Sequence, residues 1–291
     1  MTLFLQQLAS GISIGAIYAL LAVGYALVYS VYSFTNWAFD ALMVAGAFAA
    51  FYGVSLFVLP FWASVLVALV STVALSVVVE RLGYRPLRMR NAPRLFMMIS
   101  AMGMNIALVN TMNRFFGGEI RKFPTITTGA LQIGGVAIGR MDVIAAGLSF
   151  VTLFALWAFL RYTRAGLGIR ASAIDTTTAG LMGINNNTVA LLIFGITGLL
   201  SATSGVFYGI KYAVSPSMGT VTIKAMIASI IGGLGSLPGA VVGSLLLGIV
   251  ETLVAGYISS IYRDLFSFAI LIVILFFLPN GLMGQRSADK L

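Results

Sequence analysis

The sequence contains no cysteine and no histidine, and only 9% of its 291 residues are charged. Without cysteine the chain can form neither a disulfide nor a thiolate metal site. Without histidine it also lacks the commonest general base and metal ligand. These absences argue against metal-dependent and nucleophilic enzyme classes, and we do not expect an enzyme.

The shortage of charge also indicates whether the chain folds in water or in a membrane. Soluble domains carry about 25% charged residues, whereas this chain is 60% hydrophobic with a mean hydropathy of +1.03. Its apolar residues form continuous runs, not alternating ten-residue segments, which favours helices over a β-barrel. We therefore predict an all-α polytopic membrane protein: a single transmembrane domain over residues 1–291 with about eight or nine membrane segments. The first 39 residues contain no lysine or arginine, so we expect no cleavable signal peptide.

The basic residues that produce the net charge of +9 lie mostly between the apolar runs. Basic residues in such positions orient membrane helices and can meet anionic lipid, so they do not indicate nucleic acid. With Glu80–Arg94, Arg161–Asn185 and Arg286–Leu291 on the cytoplasmic side, ten lysines and arginines lie inside and seven outside. The N terminus is then outside if the first 57 residues form two spans. If Phe34–Ala50 is instead a broken or re-entrant segment, the number of spans changes and the side of the N terminus is no longer fixed.

Two polar connections stand out. Residues 114–140 form the longest, and their sequence PTITTGALQIGGVAIG predicts short extended or β-like segments on the outer side. The other is Arg161–Asn185; if it is helical, one face carries Leu167, Ala171, Ile174, Thr178 and Leu181. This pattern predicts a short, weakly amphipathic helix on the membrane surface that ends at Gly183. A basic loop that only sets topology is the alternative.

Asp40 follows Asn36-Trp37 and precedes apolar sequence. Acids within the membrane are costly and usually functional, although Trp37 could instead anchor this segment at the interface. Asn105 and Asn110, within the apolar run Leu95–Asn113, are assigned to packing between helices. The glycine stripe near the N terminus, which begins Gly11-x-x-x-Gly15, is likewise assigned to packing.

A glycine-rich segment near the C terminus, AMIASIIGGLGSLPG (Ala225–Gly239), is too short for a full span. Broken helices at membrane depth are tolerated only against protein or a water-filled cavity, and they often mark transporter pathways. Glu251, in the following run, should face the bundle or a cavity, and we favour a structural partner over direct contact with cargo. The candidate pathway residues are therefore Asn36, Trp37, Asp40, Gly233, Gly235 and Glu251.

Several stretches resemble the permeases of branched-chain amino-acid ABC transporters, in particular the H-type membrane subunit. The resemblance extends over nearly the whole chain and is most specific at Gly232–Gly248, Pro279–Gly284 and Thr163–Ile184. The matching residues in the last stretch are Thr163, Arg164, Gly166, Arg170, Ala171, Ala173, Asp175, Ala179, Leu181, Gly183 and Ile184. A further block keeps Asn36, Trp37, Ala38, Met43, Gly46 and Ala47 but departs at Phe39, Asp40 and Ala41, where the acid arrives one position early.

The resemblance implies that residues 161–187 form a cytoplasmic coupling loop that docks onto an ATPase subunit. The coupling residues would be Arg164, Gly166, Arg170, Ala171, Asp175 and Gly183. It also implies a binding protein docking on the outer side, a second permease subunit (identical or homologous) and two ATP-binding cassette subunits in a bacterial inner membrane. The chain has no G-x-x-x-x-G-K-[ST] motif, so ATP and Mg would be bound by partners and this chain would hold no cofactor.

The resemblance thus implies the permease subunit of an ATP-driven importer for branched-chain or related amino acids. One alternative is a stand-alone secondary transporter or channel for small polar solutes, coupled to ions through Asp40 and Glu251. Another is an ABC permease for urea or amides. The broken segment Ile231–Pro238 argues against a membrane scaffold, which gains nothing from interrupted helices.

Overall fold

The computed structural model describes residues 2–124, 129–133 and 136–284, which are predominantly helical. The helices are α1 (Thr2–Tyr32), α2 (Phe39–Ser55), α3 (Phe61–Val79), α4 (Arg85–Met89), α5 (Arg94–Phe116), α6 (Arg140–Tyr162), α7 (Arg164–Ile174), α8 (Thr176–Leu181), α9 (Asn186–Lys211), α10 (Val221–Gly232), α11 (Leu237–Tyr257) and α12 (Arg263–Phe277). A π-helical turn, Glu80–Tyr84, joins α3 to α4, and 3-10 turns precede α10 (Pro216–Thr220) and α12 (Ser260–Tyr262).

Within the described ranges, seven helical segments are long and apolar enough to cross a membrane. The shorter apolar helix α2, of 17 residues, makes eight, and α10, of 12 residues, is an interrupted ninth. The predicted all-α polytopic fold with a broken segment is confirmed. The predicted start of the broken segment, Ala225, was wrong. The helix α10 begins earlier, at Val221, so Lys224 is part of this helix and does not lie in an outer loop.

Local sequence explains several helix ends. Pro60 and Pro93 precede α3 and α5 in extended conformations, where a missing N–H and a fixed φ cost nothing. Asn185 caps α9 by accepting hydrogen bonds from the next amides, and Ser236 caps α11 by accepting one from Gly239 N. Each of these caps satisfies amides that have no partner within their helix.

The helix α1 is the centre of the bundle: 94% of the residues in its most apolar 18-residue stretch are buried. It packs against α6, α9, α10 and α11, and the closest approach is to α11, through Gly11 and Gly15. The predicted packing role of this glycine stripe is confirmed. The outer helices are far less covered: only 17% of the most apolar 18 residues of α5 and 6% of the residues in Ser260–Phe277 are buried.

The bundle has two ends, which we name by their loops. At the hairpin end, β1 (Ala130–Ile133) and β2 (Val136–Gly139) form an antiparallel hairpin, which confirms the predicted extended segments there. At the basic-loop end lie the turn that leads into α4 and the helices α7 and α8. The helix α1 starts at the hairpin end and finishes at the basic-loop end, and α2 returns to the hairpin end. The stretches 125–128 and 134–135 and the tail Arg286–Leu291, expected inside, lie outside the described residues.

Candidate functional site

The first candidate site is the break between α1 and α2, residues 33–38. The ring of Phe39 packs against Tyr25 of α1 at a centroid distance of 4.6 Å and contacts the position of Gly24. Tyr25 lies seven residues before the end of α1, so α2 begins about 10 Å inside the basic-loop end of the bundle. The backbone is therefore interrupted within the bundle, where Phe34, Asn36 and Ala38 are buried.

Asn36 lines this break and is fully buried. Its Oδ1 accepts hydrogen bonds from Ala38 N (3.0 Å) and from the hydroxyl of Tyr84. Its Nδ2 and the Nε1 of Trp37 are both buried donors without a hydrogen-bond partner. Because nearly all buried polar groups in folded proteins are paired, these two spare donors set the break apart from the surrounding core.

Asp40 lies in the first turn of α2 and faces α5 and the turn before α10. Its Oδ2 accepts a hydrogen bond from Asn105 Nδ2 at 3.2 Å, while Asn105 Oδ1 accepts one from Ala41 N at 3.0 Å. The other oxygen, Oδ1, is buried without a partner. It lies against the Cα of Gly219, so closely that a methyl group on Gly219 would occupy its position. Asn105 therefore packs helices, as predicted, but it does so through Asp40.

The second break lies between α10 and α11. Gly233 and Gly235 have φ angles of +109° and +86°, which glycine adopts without strain. A methyl group on Gly233 would lie 2.5 Å from Gly284 N. The chain after α12 returns here, where Leu282 N and Met283 N donate to the last carbonyls of α10. These two glycines thus close a turn at the basic-loop end and do not lie beside Asp40.

Glu251 of α11 is 3% exposed and is held by partners on two other helices. The hydroxyl of Tyr18 donates to its Oε2 at 3.0 Å, and Lys224 of α10 forms an ion pair with its Oε1. Lys224 also pairs with the exposed Asp264 at 2.8 Å. Sequence reasoning missed Lys224, although a single lysine in the apolar stretch 221–232 is a signal that it needs an acidic partner.

At the basic-loop end, the polar stretch forms two helices, α7 and α8, where the sequence predicted one. Asp175 interrupts them because its side chain caps α8, accepting a hydrogen bond from Thr177 N at 2.9 Å. The helix α8 ends before Gly183, which has a φ of +88° and closes the turn as predicted. The predicted apolar face is consequently split, and most of its members are exposed: Leu167, Ile174, Thr178 and Leu181.

The buried side of α7 is formed by Gly166, Ile169 and Ser172. Gly166 lies directly on the end of α6, since a methyl group there would be 2.5 Å from the Cα of Leu160. Thr163 caps α7 by accepting a hydrogen bond from Gly166 N at 2.9 Å. Glycine at this position therefore lets α7 pack against α6.

The predicted coupling residues lie on or next to this helix pair. Arg164 and Arg170 are exposed, and Ala171 is half-buried. The guanidinium of Arg170 donates to the carbonyl of Arg161 at 3.5 Å, the outer limit for such a bond. Both arginine side chains are thus available to a partner.

A cleft of about 690 Å³ separates α8 from the turn after α4. Its polar lining includes Arg88, Arg94, Asn91, Thr176, Thr177 and Asn187. Arg88, which lines the cleft, donates to Glu80 Oε1 at 2.8 Å and to Asn187 Oδ1 at 3.0 Å. Among the described residues, no group of three acidic, cysteine or histidine side chains is placed to hold a metal ion.

Comparison with known proteins agrees with this architecture. Residues 7–275 match the family described as "Branched-chain amino acid transport system / permease component". The chain is 35% identical to the high-affinity branched-chain amino acid transport system permease protein BraD of Pseudomonas aeruginosa, covering 99% of this chain and 98% of that one. It is 34% identical to LivH of Escherichia coli K12, a protein of the same description, over 99% and 97% of the two chains.

Among solved structures, PsaBC from Streptococcus pneumoniae, in complex with Fab, superposes with a TM-score of 0.54. The superposition covers 96% of this chain and 93% of that chain at 13% identity, which shows a shared fold. The two full-length relatives are much more similar in sequence, at 35% and 34% identity. The chain therefore belongs to the family of permease components of branched-chain amino acid transport systems.

Proposed function

We propose that this chain is the permease subunit of an ATP-driven importer and that it carries branched-chain or related amino acids across a bacterial inner membrane. The observation that carries this proposal is the family match over residues 7–275. Relatives aligned along almost their whole length are named as permeases of high-affinity branched-chain amino acid transport. The broken helices around Asp40 and before α11 support a transport role, because discontinuous helices form pathways in many transporters.

The proposal assigns ATP and Mg to partner chains, because this sequence has no phosphate-binding loop. Two ATPase subunits and a second permease subunit, identical or homologous, complete the assembly. The outer helices offer apolar faces for that second permease or for lipid, with Phe96, Phe154 and Phe276 all exposed. A binding protein that delivers cargo is assigned to the outer connection, residues 114–140, at the hairpin end.

The helices α7 and α8 are the proposed surface for an ATPase subunit. Ile174, Leu181 and Met182 are each at least 80% exposed. Exposed apolar side chains clustered in a polar loop are typical of protein contacts. The exposed guanidinium groups of Arg164 and Arg170 lie on α7, the helix that also carries Ile174, and they offer charged contacts at the edge of this surface.

Movement of this surface can reach the bundle through rigid packing. Gly166 joins α7 to the end of α6, and α7 also contacts α1 and α9. Ile169, which is buried, adds an apolar contact on the same side of α7. In alternating access, closure of the ATPase pair would shift α7 and α8 and thereby favour one arrangement of the bundle over the other. The free energy comes from ATP on the partner subunits.

The test is uptake by proteoliposomes that contain this chain with its candidate ATPase, permease and binding-protein partners. We expect radiolabelled leucine to accumulate only when ATP is inside and the binding protein is outside. Glutamate and urea are tested in parallel to define the cargo class. Uptake by this chain alone, driven by a proton or sodium gradient, would establish a secondary transporter and contradict the proposal. Uptake of urea in preference to leucine would contradict the amino-acid cargo only.

A further inference from the structure

Asp40 differs from the other acids of the bundle interior in having no cationic partner. Glu80 is paired with Arg88 and Glu251 with Lys224. In the described part of the chain, no lysine or arginine forms an ion pair with Asp40. A carboxylate inside a membrane protein is usually paired or marks a pathway, so the missing cation needs an explanation.

The geometry of Asp40 leaves one acceptor free in a fixed position. Asn105 holds Oδ2, and because Asn105 is itself bonded to Ala41 N, the carboxylate cannot turn freely. Oδ1 is buried without a donor. No group of the described residues donates to Oδ1, so a bound molecule can supply the missing donor.

The break beside Asp40 also holds unused donors. Asn36 Nδ2 and Trp37 Nε1 are buried without acceptors, and Asn36 itself is fully buried. A short segment thus carries one free carboxylate oxygen and two free N–H donors. A zwitterion offers the complementary groups, an ammonium with three donors and a carboxylate that only accepts.

Access to Oδ1 is closed by Gly219 in this structure. Gly219 belongs to the 3-10 turn Pro216–Thr220, which leads directly into the half-helix α10. No side chain other than hydrogen fits between the Cα of residue 219 and the carboxylate. Movement of this turn with α10 would uncover Oδ1, whereas the hydrogen bond from Asn105 would remain.

From this geometry we propose that Asp40 accepts the α-ammonium group of the amino acid during its passage and that the turn Pro216–Thr220 covers Asp40 before and after. The inference rests on the proposed amino-acid cargo and adds the residue that recognises its charge. It predicts selection for solutes with an ammonium group over amides and urea, because a charge-assisted hydrogen bond to a carboxylate is about twice as strong as a neutral one.

The test compares Asp40→Asn with Asp142→Asn in the full complex in proteoliposomes. Asp142 is a suitable control because it is also partly buried but, unlike Asp40, has a cationic partner, Lys211, and because it lies in α6, away from Asp40. We expect Asp40→Asn to lower leucine uptake per ATP hydrolysed at least about tenfold, and Asp142→Asn to keep it within about twofold. Equal uptake by wild type and Asp40→Asn would overturn the role of Asp40. Failure of the wild type to import any amino acid would instead overturn the proposed function.

A second measurement does not depend on the activity of Asp40→Asn. The chain contains no cysteine, so Asp40→Cys introduces its single thiol. We expect a small water-soluble thiol reagent to label this thiol faster during ATP turnover than at rest, because movement of the turn Pro216–Thr220 uncovers position 40. Labelling that is insensitive to ATP would overturn the proposed cover.

Discussion

Gly15 of α1 and Gly248 of α11 lie backbone to backbone, since a methyl group on Gly248 would be 2.5 Å from the Cα of Gly15. The carbonyl of Ser244 approaches Gly15 almost as closely, at 2.9 Å from a methyl group built there. Small residues let membrane helices approach to this distance and replace lipid contacts by direct packing. The contact matters for the whole fold because α1 is its most buried helix.

Gly248→Ala should therefore destabilise the chain even though alanine favours helix formation. The added methyl must push α1 and α11 apart, and overpacking of this kind costs about 1–3 kcal/mol. We expect a lower Tm of the purified chain in detergent. Gly195→Ala in α9 is the matched control, because nothing lies within 4 Å of a methyl group there. A Tm for Gly248→Ala equal to that of Gly195→Ala would contradict the close contact.

Removal of the positive charge of Lys224 should be severe. Lys224→Met leaves Glu251 buried without a cation, and breaking a buried ion pair costs about 3–5 kcal/mol. Asp264→Asn removes the exposed partner of the same lysine and should cost at most about 1 kcal/mol. The measurement is thermal unfolding of each variant. The double variant Lys224→Met, Glu251→Gln should recover part of the loss; no recovery would show that Lys224 acts through something other than Glu251.

Gly166 offers a test of the link between α7 and the bundle. A methyl group there meets the backbone of α6, whereas on Gly168, in the same helix, the nearest atom is 3.7 Å away. Gly166→Ala should tilt α7 and lower ATP-driven uptake at least about tenfold, equivalent to about 1.4 kcal/mol of coupling. Gly168→Ala should transport normally. Equal uptake by both variants would show that the position of α7 on α6 is not critical.

Charge changes on the same helices test the proposed ATPase contact. Arg170→Glu reverses an exposed charge, and Asp175→Ala removes the cap of α8, which contributes about 1 kcal/mol to a helix. Both should reduce uptake per ATP hydrolysed while the chain remains folded and inserted. Arg81→Glu, an exposed arginine of the turn Glu80–Tyr84 outside α7 and α8, is the matched control. Normal transport and normal co-purification of the ATPase with Arg170→Glu and Asp175→Ala would contradict the assignment.

Much of the architecture was predictable because its causes are local. Long apolar runs require helices in lipid, where every backbone group must find a partner within its own segment. Gly183, Gly233 and the hairpin sequence at 130–139 act through backbone preferences of single residues or short stretches. The interruption of α7–α8 was not predicted because helical periodicity favours continuity, whereas Asp175 gains more by capping a new helix.

The partners of the charged groups could not be predicted in this way. Lys224 and Glu251 are 27 residues apart in the chain, and Asn105 lies 65 residues from Asp40. Their contacts depend on how α2, α5, α10 and α11 pack, and periodicity within one helix carries no information about its neighbours. No sequence pattern indicated a role for Gly219, because its importance comes from its contact with Asp40 on another element, the helix α2.

The sequence by itself therefore determined that this chain is a helical membrane protein, that it has a broken segment near its C terminus, and which permease family it resembles. Each of these follows from composition, from short-range backbone preference or from motifs that lie within one segment. Only the tertiary structure decided which buried charges are paired and which is free. That outcome depends on distances between helices far apart in the chain, and it leaves Asp40, alone among Glu80, Glu251 and Asp40, without a cation.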